Sequence, residues 1–155
     1  MTELTLKKTT ARRLYPEAPG WFQKVLNESF GEDFFSKREY SDIKTFEDAC
    51  NELGIDPEEE FNSNDLADEV AYKKLKIVAK AINQGWEPDW DNTNQRKYWP
   101  YFKLSSGFGF SYSTYDYVFT FTSVGSRLCF ETEEKCTYAA KQFIDNYEQF
   151  LTIKK

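Results

Sequence analysis

Histidine is absent from the chain, and cysteine is scarce. Without histidine the protein has no Ser-His-Asp or Cys-His nucleophile activation, no imidazole metal ligand and no histidine pH switch. The three cysteines, Cys50, Cys129 and Cys136, form no CxxC pair, which favours buried free thiols in a reducing compartment. No catalytic motif emerges from the residues that remain. The sequence therefore predicts a protein that is not an enzyme and that has no cofactor.

Long apolar runs are also missing. No stretch approaches the roughly 18 apolar residues of a membrane helix, and the start, MTELTLKKTT, lacks the apolar core of a signal peptide. We therefore expect a cytoplasmic protein that does not bind membranes. A length of 155 residues predicts a single domain over 1–155. Residues 1–16 have little periodicity and a basic cluster, which is typical of a solvated arm or a short edge strand, or else of a phosphate-binding arm.

Negative charge is concentrated in one part of the chain. The net charge is −6, but residues 14–70 alone carry −12, whereas residues 71–85 carry +4. Generic attraction to nucleic acid needs a summed positive field and is not supported by this balance. The acidic segment instead allows a nucleic-acid mimic that inhibits a host protein, with Glu58, Glu59 and Glu60 as its densest run.

Amphipathic helices are predicted in four places. Periodic apolar residues indicate helices over 19–29 and, after a cap at Thr45, up to Gly54, where a Schellman ending is expected. The clearest helix runs from Asp65 to Gln84 with Asp65 as its cap, and a last helix covers 133–151. On the helix predicted from Asp65 to Gln84, Lys73, Lys76 and Lys80 share one side, which is typical of a solvated face and is also compatible with phosphate binding.

Half of the 28 aromatic residues lie between Trp86 and Phe130. Aromatics occupy even positions from Phe108 to Tyr112 and odd positions from Tyr115 to Phe121, which predicts two strands separated by a turn near Ser113. A preceding strand from Tyr98 to Leu104 is expected at an edge because of Pro100, and a last strand is expected over 125–130. The prediction is an α+β fold, with an antiparallel three- to four-stranded meander packed by the helices, including the C-terminal one.

Alternating carboxylates follow Trp86. On an extended backbone Glu87, Asp89 and Asp91 would share one side, where they would hold a hard cation. The match to a calcium loop fails, because Asn94 stands where such a loop needs glycine. Metal-assisted hydrolysis at these residues is the enzymatic alternative that the sequence leaves open.

Several strings in the chain resemble a known family. At GWEPDW, KYWPYF, GFGFS, VGSRLCF and YAAKQF the sequence is similar to a family of small proteins of phages and prophages of gut Bacteroidales, including crAss-like phages. The resemblance covers roughly residues 45–150. It implies a viral or mobile-element context in a host cytoplasm, and it provides no catalytic residues.

A binding protein is the first functional hypothesis. The aromatic residues exceed what one sheet face buries, and Trp, Tyr and Arg concentrate at protein–protein hot spots. We therefore expect contacts with a host or phage protein, with Trp86, Trp90, Trp99, Tyr101 and Tyr112 at least partly accessible. The alternative is a single-stranded nucleic-acid-binding protein, in which strand aromatics stack on bases while basic residues such as Lys103 follow the phosphates. The candidate binding residues are Trp86, Trp90, Arg96, Lys97, Trp99, Tyr101 and Arg127, with no metal site.

Overall fold

Helices account for most of the chain before residue 84, and a hairpin and two further helices follow. The computed structural model describes residues 5–105, 109–122 and 125–153. That part of the chain holds seven α-helices and one two-stranded antiparallel sheet, so the α+β class is confirmed. The elements are α1 Lys8–Leu14, α2 Gly20–Phe30, α3 Glu32–Phe35, α4 Phe46–Leu53, α5 Ala67–Asn83, β1 Lys97–Ser105, β2 Gly109–Val118, α6 Glu133–Gln142 and α7 Ile144–Leu151.

Helix α4 has the ends that its sequence predicts. The Thr45 hydroxyl accepts the backbone N–H of Asp48 at 3.1 Å, and the Asp48 carboxylate accepts the N–H of Thr45 at 3.0 Å. This reciprocal pair satisfies two amides that the first turn leaves without helical partners. At the other end Gly54 has φ +65°, and the N–H of Ile55 bonds to the Cys50 carbonyl at 2.9 Å. The predicted Schellman ending is therefore confirmed.

Replacing Gly54 with alanine is expected to lower the free energy of unfolding by about 1–3 kcal/mol, the cost of a non-glycine residue in a strained backbone conformation. The new Cβ would also lie 3.0 Å from the Cβ of Arg13 on α1. Urea denaturation measures the loss. Gly20→Ala is the matched control, since no atom lies within 4 Å of its added Cβ and its φ is not positive. Equal midpoints for the two variants would contradict the prediction.

Helix α5 begins later than its sequence suggests. Its N-cap is Leu66, so the prediction that Asp65 caps the helix is wrong. The Asp65 carboxylate accepts the N–H of Asn62 at 2.8 Å and pairs with Lys73 at 2.6 Å. These two bonds hold the pKa of Asp65 below its ordinary value, with the lysine bond the larger cause. The predicted apolar stripe is buried as expected, and it comprises Ala71, Leu75, Val78 and Ile82.

The N-terminal segment is helical in its described part. Residues Lys8–Leu14 form α1, so the expectation of a flexible arm or an edge strand does not hold there. The Arg12 guanidinium pairs with Glu52 of α4 at 2.8 Å and also donates to the carbonyls of Phe34 and Ser36. Burial of Arg12 lowers its pKa. Arg12 therefore ties α1 to α4 and to the end of α3, and it is not free to bind a phosphate.

The sheet has two strands in the described chain, and the predicted meander of three to four strands is wrong. Strand β2 continues through the position where a turn was expected. Tyr101 pairs with Thr114 and Phe102 pairs with Tyr112, so Ser113 is an extra residue in β2. Such a bulge shifts the alternation by one residue, which returns the aromatic side chains to the same face. Strand β1 ends at Ser105 and β2 begins at Gly109. The prediction for Phe108 lies outside the described residues.

A fourth strand over 125–130 does not form. Ser126–Leu128 is a 3₁₀ turn, and Phe130 makes a single antiparallel bridge to Tyr98 through bonds of 2.8 and 3.0 Å. Pro100 comes two residues after Tyr98, so its missing N–H falls on that outer side of β1 and removes no bond to β2. The edge position expected from Pro100 is therefore confirmed.

The C-terminal helix is broken at Phe143, where one continuous helix was predicted. Phe143 has φ −111° and ψ 31°, and it separates α6 from α7. The residues on either side of the break belong to two separate clusters: Phe143 packs with α4, α5 and Phe130, whereas Tyr147 packs with Leu75 and Leu128. The aromatic face of the hairpin lies on these helices, with the Phe102 and Tyr147 ring centroids 4.8 Å apart.

Candidate binding groove

One face of α5 is not used by the core. Lys73, Lys76 and Lys80 follow each other at spacings of three and four, so they line one side of the helix. Between them Ile77 is 8% exposed and forms an apolar floor. The opposite stripe of α5 is buried, which fixes the rotation of the helix and presents this lysine-bearing face outward.

A loop of residues 85–96, here called the Trp loop, rises beside this face. It starts at Gly85, whose φ is +92°, and the N–H of Trp86 bonds to the Asn83 carbonyl at 3.0 Å. The Gln95 side chain closes the loop by accepting the N–H of Asp89 at 2.6 Å. Trp86 and Trp90 are both half-buried, so each indole offers part of its surface.

Lys97 fixes the Trp loop from inside. Its Nζ donates to the backbone carbonyls of Asn92 at 3.3 Å, Gln95 at 3.0 Å and Phe119 at 2.6 Å. The same ammonium lies 5.1 Å from the centre of the Trp90 ring, a cation–π distance. Lys97 has no exposed surface. Its expected place on a binding surface is thus corrected, because every ammonium proton is occupied within the protein.

Arg127 lines the same space from another element. It lies in the Ser126–Leu128 turn, which packs on α5 because its neighbour Leu128 is buried against Leu75. The Arg127 side chain is exposed. The three parts enclose a groove of about 650 Å³. The groove is defined by the residues that line it, namely Ile55, Glu60, Lys73, Lys76, Ile77, Lys80, Asn83, Trp86, Glu87, Pro88, Trp90 and Arg127.

The charge of the groove is opposite to that of the whole chain. Four basic and two acidic side chains line it, although the protein carries −6. Lys73 is already paired with Asp65. Within the described ranges no carboxylate lies within ion-pair distance of Lys80 or Arg127. These two cations face one opening beside two indole rings, an arrangement suited to an anionic ligand that also has apolar surface.

Three of the predicted site residues meet in the groove, and four lie elsewhere. Trp86, Trp90 and Arg127 line it. Trp99 is only 4% exposed, so the prediction that it is accessible is wrong. Arg96 lies 4.6 Å from the centre of the Tyr117 ring, outside the groove. The other two are Lys97, buried beneath the Trp loop, and Tyr101, which is exposed on the hairpin.

Among the groove residues that the predicted site list lacks are the α5 lysines, namely Lys73, Lys76 and Lys80. Their spacing was visible in the sequence, but a lysine stripe on a helix is typical of a solvated face. The only signal for their role was their position directly before Gly85 and the Trp loop. Ile55 and Ile77 had no distinguishing signal, because each reads as an ordinary core residue.

The acidic residues of the Trp loop do not share one side. The Asp89 carboxylate accepts the N–H of Asp91 at 3.0 Å, which turns the backbone where an extended chain was assumed. Glu87 lines the groove, whereas Asp89 and Asp91 do not. Among the residues that the structure describes, no group of three Asp, Glu or Cys side chains is arranged to hold a metal ion.

The cysteines are free and buried, as predicted. Burial raises the pKa of Cys50 to about 12 and that of Cys129 to about 11, and it also raises the pKa of Cys136. Since the thiolate is the reactive form of cysteine, all three thiols are inert at neutral pH.

Most strand aromatics are committed to packing. Phe102 stacks on Phe110 with ring centroids 4.7 Å apart, and the Tyr112 hydroxyl lies 3.1 Å from the Thr137 hydroxyl of α6. Tyr115 bonds to Glu133 at the start of α6, and this bond raises the pKa of Tyr115 to about 12. The hairpin face expected to stack on bases therefore rests on the C-terminal helices.

Comparison of the chain with protein-family models, with curated proteins and with solved structures found no significant match. Over the described residues, no helix has both the length and the apolar character needed to cross a membrane.

Proposed function

We propose that the protein is a non-enzymatic binding protein of phage or mobile-element origin, which contacts a host or phage protein in the host cytoplasm through the groove. The observation that supports this most is the convergence of Lys80, Arg127 and two tryptophans on one opening in a chain that is acidic overall. Trp and Arg are the residues most enriched at hot spots of protein–protein interfaces.

The proposal of a non-catalytic role rests on the chemistry that is available. The chain lacks histidine, and its thiols are protonated at neutral pH. The groove offers lysine, arginine, glutamate and indole, groups that bind and orient a ligand.

Two alternatives stay open as proposals. Single-stranded nucleic acid would use the same cations, but Lys97 is committed to three carbonyls and the hairpin aromatics to α6 and α7. A nucleic-acid mimic would use the acidic segment, of which Glu52 and Asp56 already pair with Arg12 and Lys7. In each alternative some of the required residues already have partners within the protein, which favours the groove as the binding surface.

Affinity capture from Bacteroidales cells tests this proposal. We expect a defined protein to be recovered with the wild-type protein and to be lost with the double variant Lys80→Glu/Arg127→Glu, because the variant reverses the charge of two exposed groove cations that have no ion-pair partner among the described residues. The complex is then rebuilt from the purified partner, and its Kd is measured by calorimetry. We expect the double variant to weaken binding by about 100-fold or more, or about 2.7 kcal/mol.

The matched control is Arg13→Glu/Lys24→Glu, which makes the same change in charge at two exposed positions outside the groove. Equal recovery with all three proteins would overturn the groove as the contact surface. Loss of the captured partner on nuclease treatment would contradict a protein partner and favour the nucleic-acid alternative.

A further inference from the structure

We propose that the ligand of the groove is a short acidic peptide segment that carries at least one large apolar side chain. This inference rests on the proposed function and names the chemistry of its partner. It follows from three features of the groove, namely its unpaired cations, its apolar floor and the carboxylates that it also contains.

The cations define where the carboxylates of the peptide bind. Lys80 on α5 and Arg127 on the facing turn are both exposed, and no described carboxylate lies within ion-pair distance of either. They line the same groove from two different elements, so a segment bound in the groove can pair with both. Arginine adds a planar fork that holds a carboxylate through two bonds.

The apolar part of the groove defines the second feature of the ligand. Ile77 lies on the floor, and Trp86 and Trp90 line the side. Lys97 already holds the Trp loop and lies against the Trp90 ring, so this ring loses little freedom when a ligand covers it. A large apolar side chain placed here excludes water around the neighbouring ion pairs and strengthens them.

The two carboxylates of the groove, Glu60 and Glu87, favour a peptide over a polynucleotide as the ligand. A polynucleotide carries a charge at every phosphate and would place some of them beside these two carboxylates. A peptide can place its acidic residues opposite Lys80 and Arg127 and a neutral residue opposite Glu87. The mixed lining therefore favours a peptide, and Glu87→Gln is expected to tighten binding of any anionic ligand.

Fluorescence anisotropy with designed probes tests the inference. The probe is a short fluorescein-labelled peptide of glutamate and serine with two central phenylalanines. There are three comparison probes. In the first, glutamine replaces the glutamates, and in the second, serine replaces the phenylalanines. The third is a thymidine oligonucleotide of equal formal charge. We expect the first probe to bind the wild-type protein at least about tenfold more tightly than each of the others, a difference of about 1.4 kcal/mol.

The protein variants then locate the site. We expect Lys80→Glu/Arg127→Glu to weaken binding of the first probe about tenfold or more, and Arg13→Glu/Lys24→Glu to leave it unchanged. Equal binding of the glutamine probe, or tighter binding of the oligonucleotide, would overturn the inference. If the captured partner depends on the groove but the peptide neither binds nor competes, only the peptide inference fails. If capture does not depend on the groove, the proposed function itself fails.

Discussion

Replacing Lys97 with methionine is expected to lower the free energy of unfolding by about 2–4 kcal/mol. Methionine fills a similar volume, so the loss comes from polar groups and not from a cavity. The variant leaves the carbonyls of Asn92, Gln95 and Phe119 without their charged donor. Lys97 has no exposed surface, so water does not simply take its place.

Thermal unfolding monitored by circular dichroism measures this effect. At about 2–4 °C per kcal/mol for a chain of this size, the melting temperature should fall by roughly 4–16 °C. Lys103→Met is the matched control, since Lys103 is an exposed lysine on the same strand. Side chains alternate between the two faces of a strand, so Lys103 lies on the same face of β1 as Lys97. Equal melting temperatures for the Lys97→Met and Lys103→Met variants would show that the three bonds contribute nothing to stability.

The Lys97 variant also has a local consequence. In the wild-type protein the Lys97 ammonium lies against the Trp90 ring, and its bonds to Asn92 and Gln95 hold the Trp loop in place. We therefore expect tryptophan emission to shift to longer wavelength in the folded Lys97→Met protein, as Trp90 gains contact with water. Such a shift would separate loosening of the loop from a uniform loss of stability.

The helices were largely predictable from the sequence. Helices are encoded locally, by apolar residues at three- and four-residue spacing and by capping residues such as Thr45 and Gly54. The errors lie in α1 and α3, which were not predicted, at the start of α5, where Leu66 and not Asp65 is the cap, and at Phe143, where the last helix breaks. The last two errors depend on tertiary partners, since Asp65 is drawn to Lys73 and Phe143 enters the core beside α4 and α5.

The sheet was less predictable, for a different reason. A change from even to odd aromatic positions is equally compatible with a turn and with one extra residue in a continuous strand. Ser113 and Thr114 suit a turn, and no side chain in the sequence marks the bulge that the pairing of Tyr101 with Thr114 reveals. The alternation showed correctly that these aromatics share a face, but not how many strands carry them.

The groove could be predicted only in part. Trp86, Trp90 and Arg127 stood out by residue type, and all three line the groove. Lys97 also stood out by type, but its burial depends on Phe119, which is distant in sequence and accepts one of its bonds. A helix pattern shows which face of α5 is polar, but not what lies opposite. Only the fold shows that the exposed Lys80 lines the same groove as Arg127.

Asn83 is expected to be the other residue whose loss has a large effect, because it ties α5 to the segment after Arg127. Its side-chain N–H donates to the Cys129 carbonyl at 2.8 Å, and its oxygen accepts the N–H of Glu131 at 3.2 Å. Asn83→Leu removes both bonds and leaves two backbone groups unsatisfied at a site where Asn83 is only 6% exposed. We expect the free energy of unfolding to fall by about 2–4 kcal/mol.

Urea denaturation and amide hydrogen exchange together check this result. Leucine favours helix by a few tenths of a kcal/mol more than asparagine, so the helix itself gains slightly and cannot explain a loss. Asn64→Leu, at an exposed position, controls for the change in composition. We also expect exchange at the Glu131 amide to accelerate in the Asn83 variant, and unchanged exchange there would contradict the proposed tie. Since α5 carries the lysines of the groove and Arg127 lies just before Cys129, the two bonds of Asn83 tie α5 to the segment that carries Arg127.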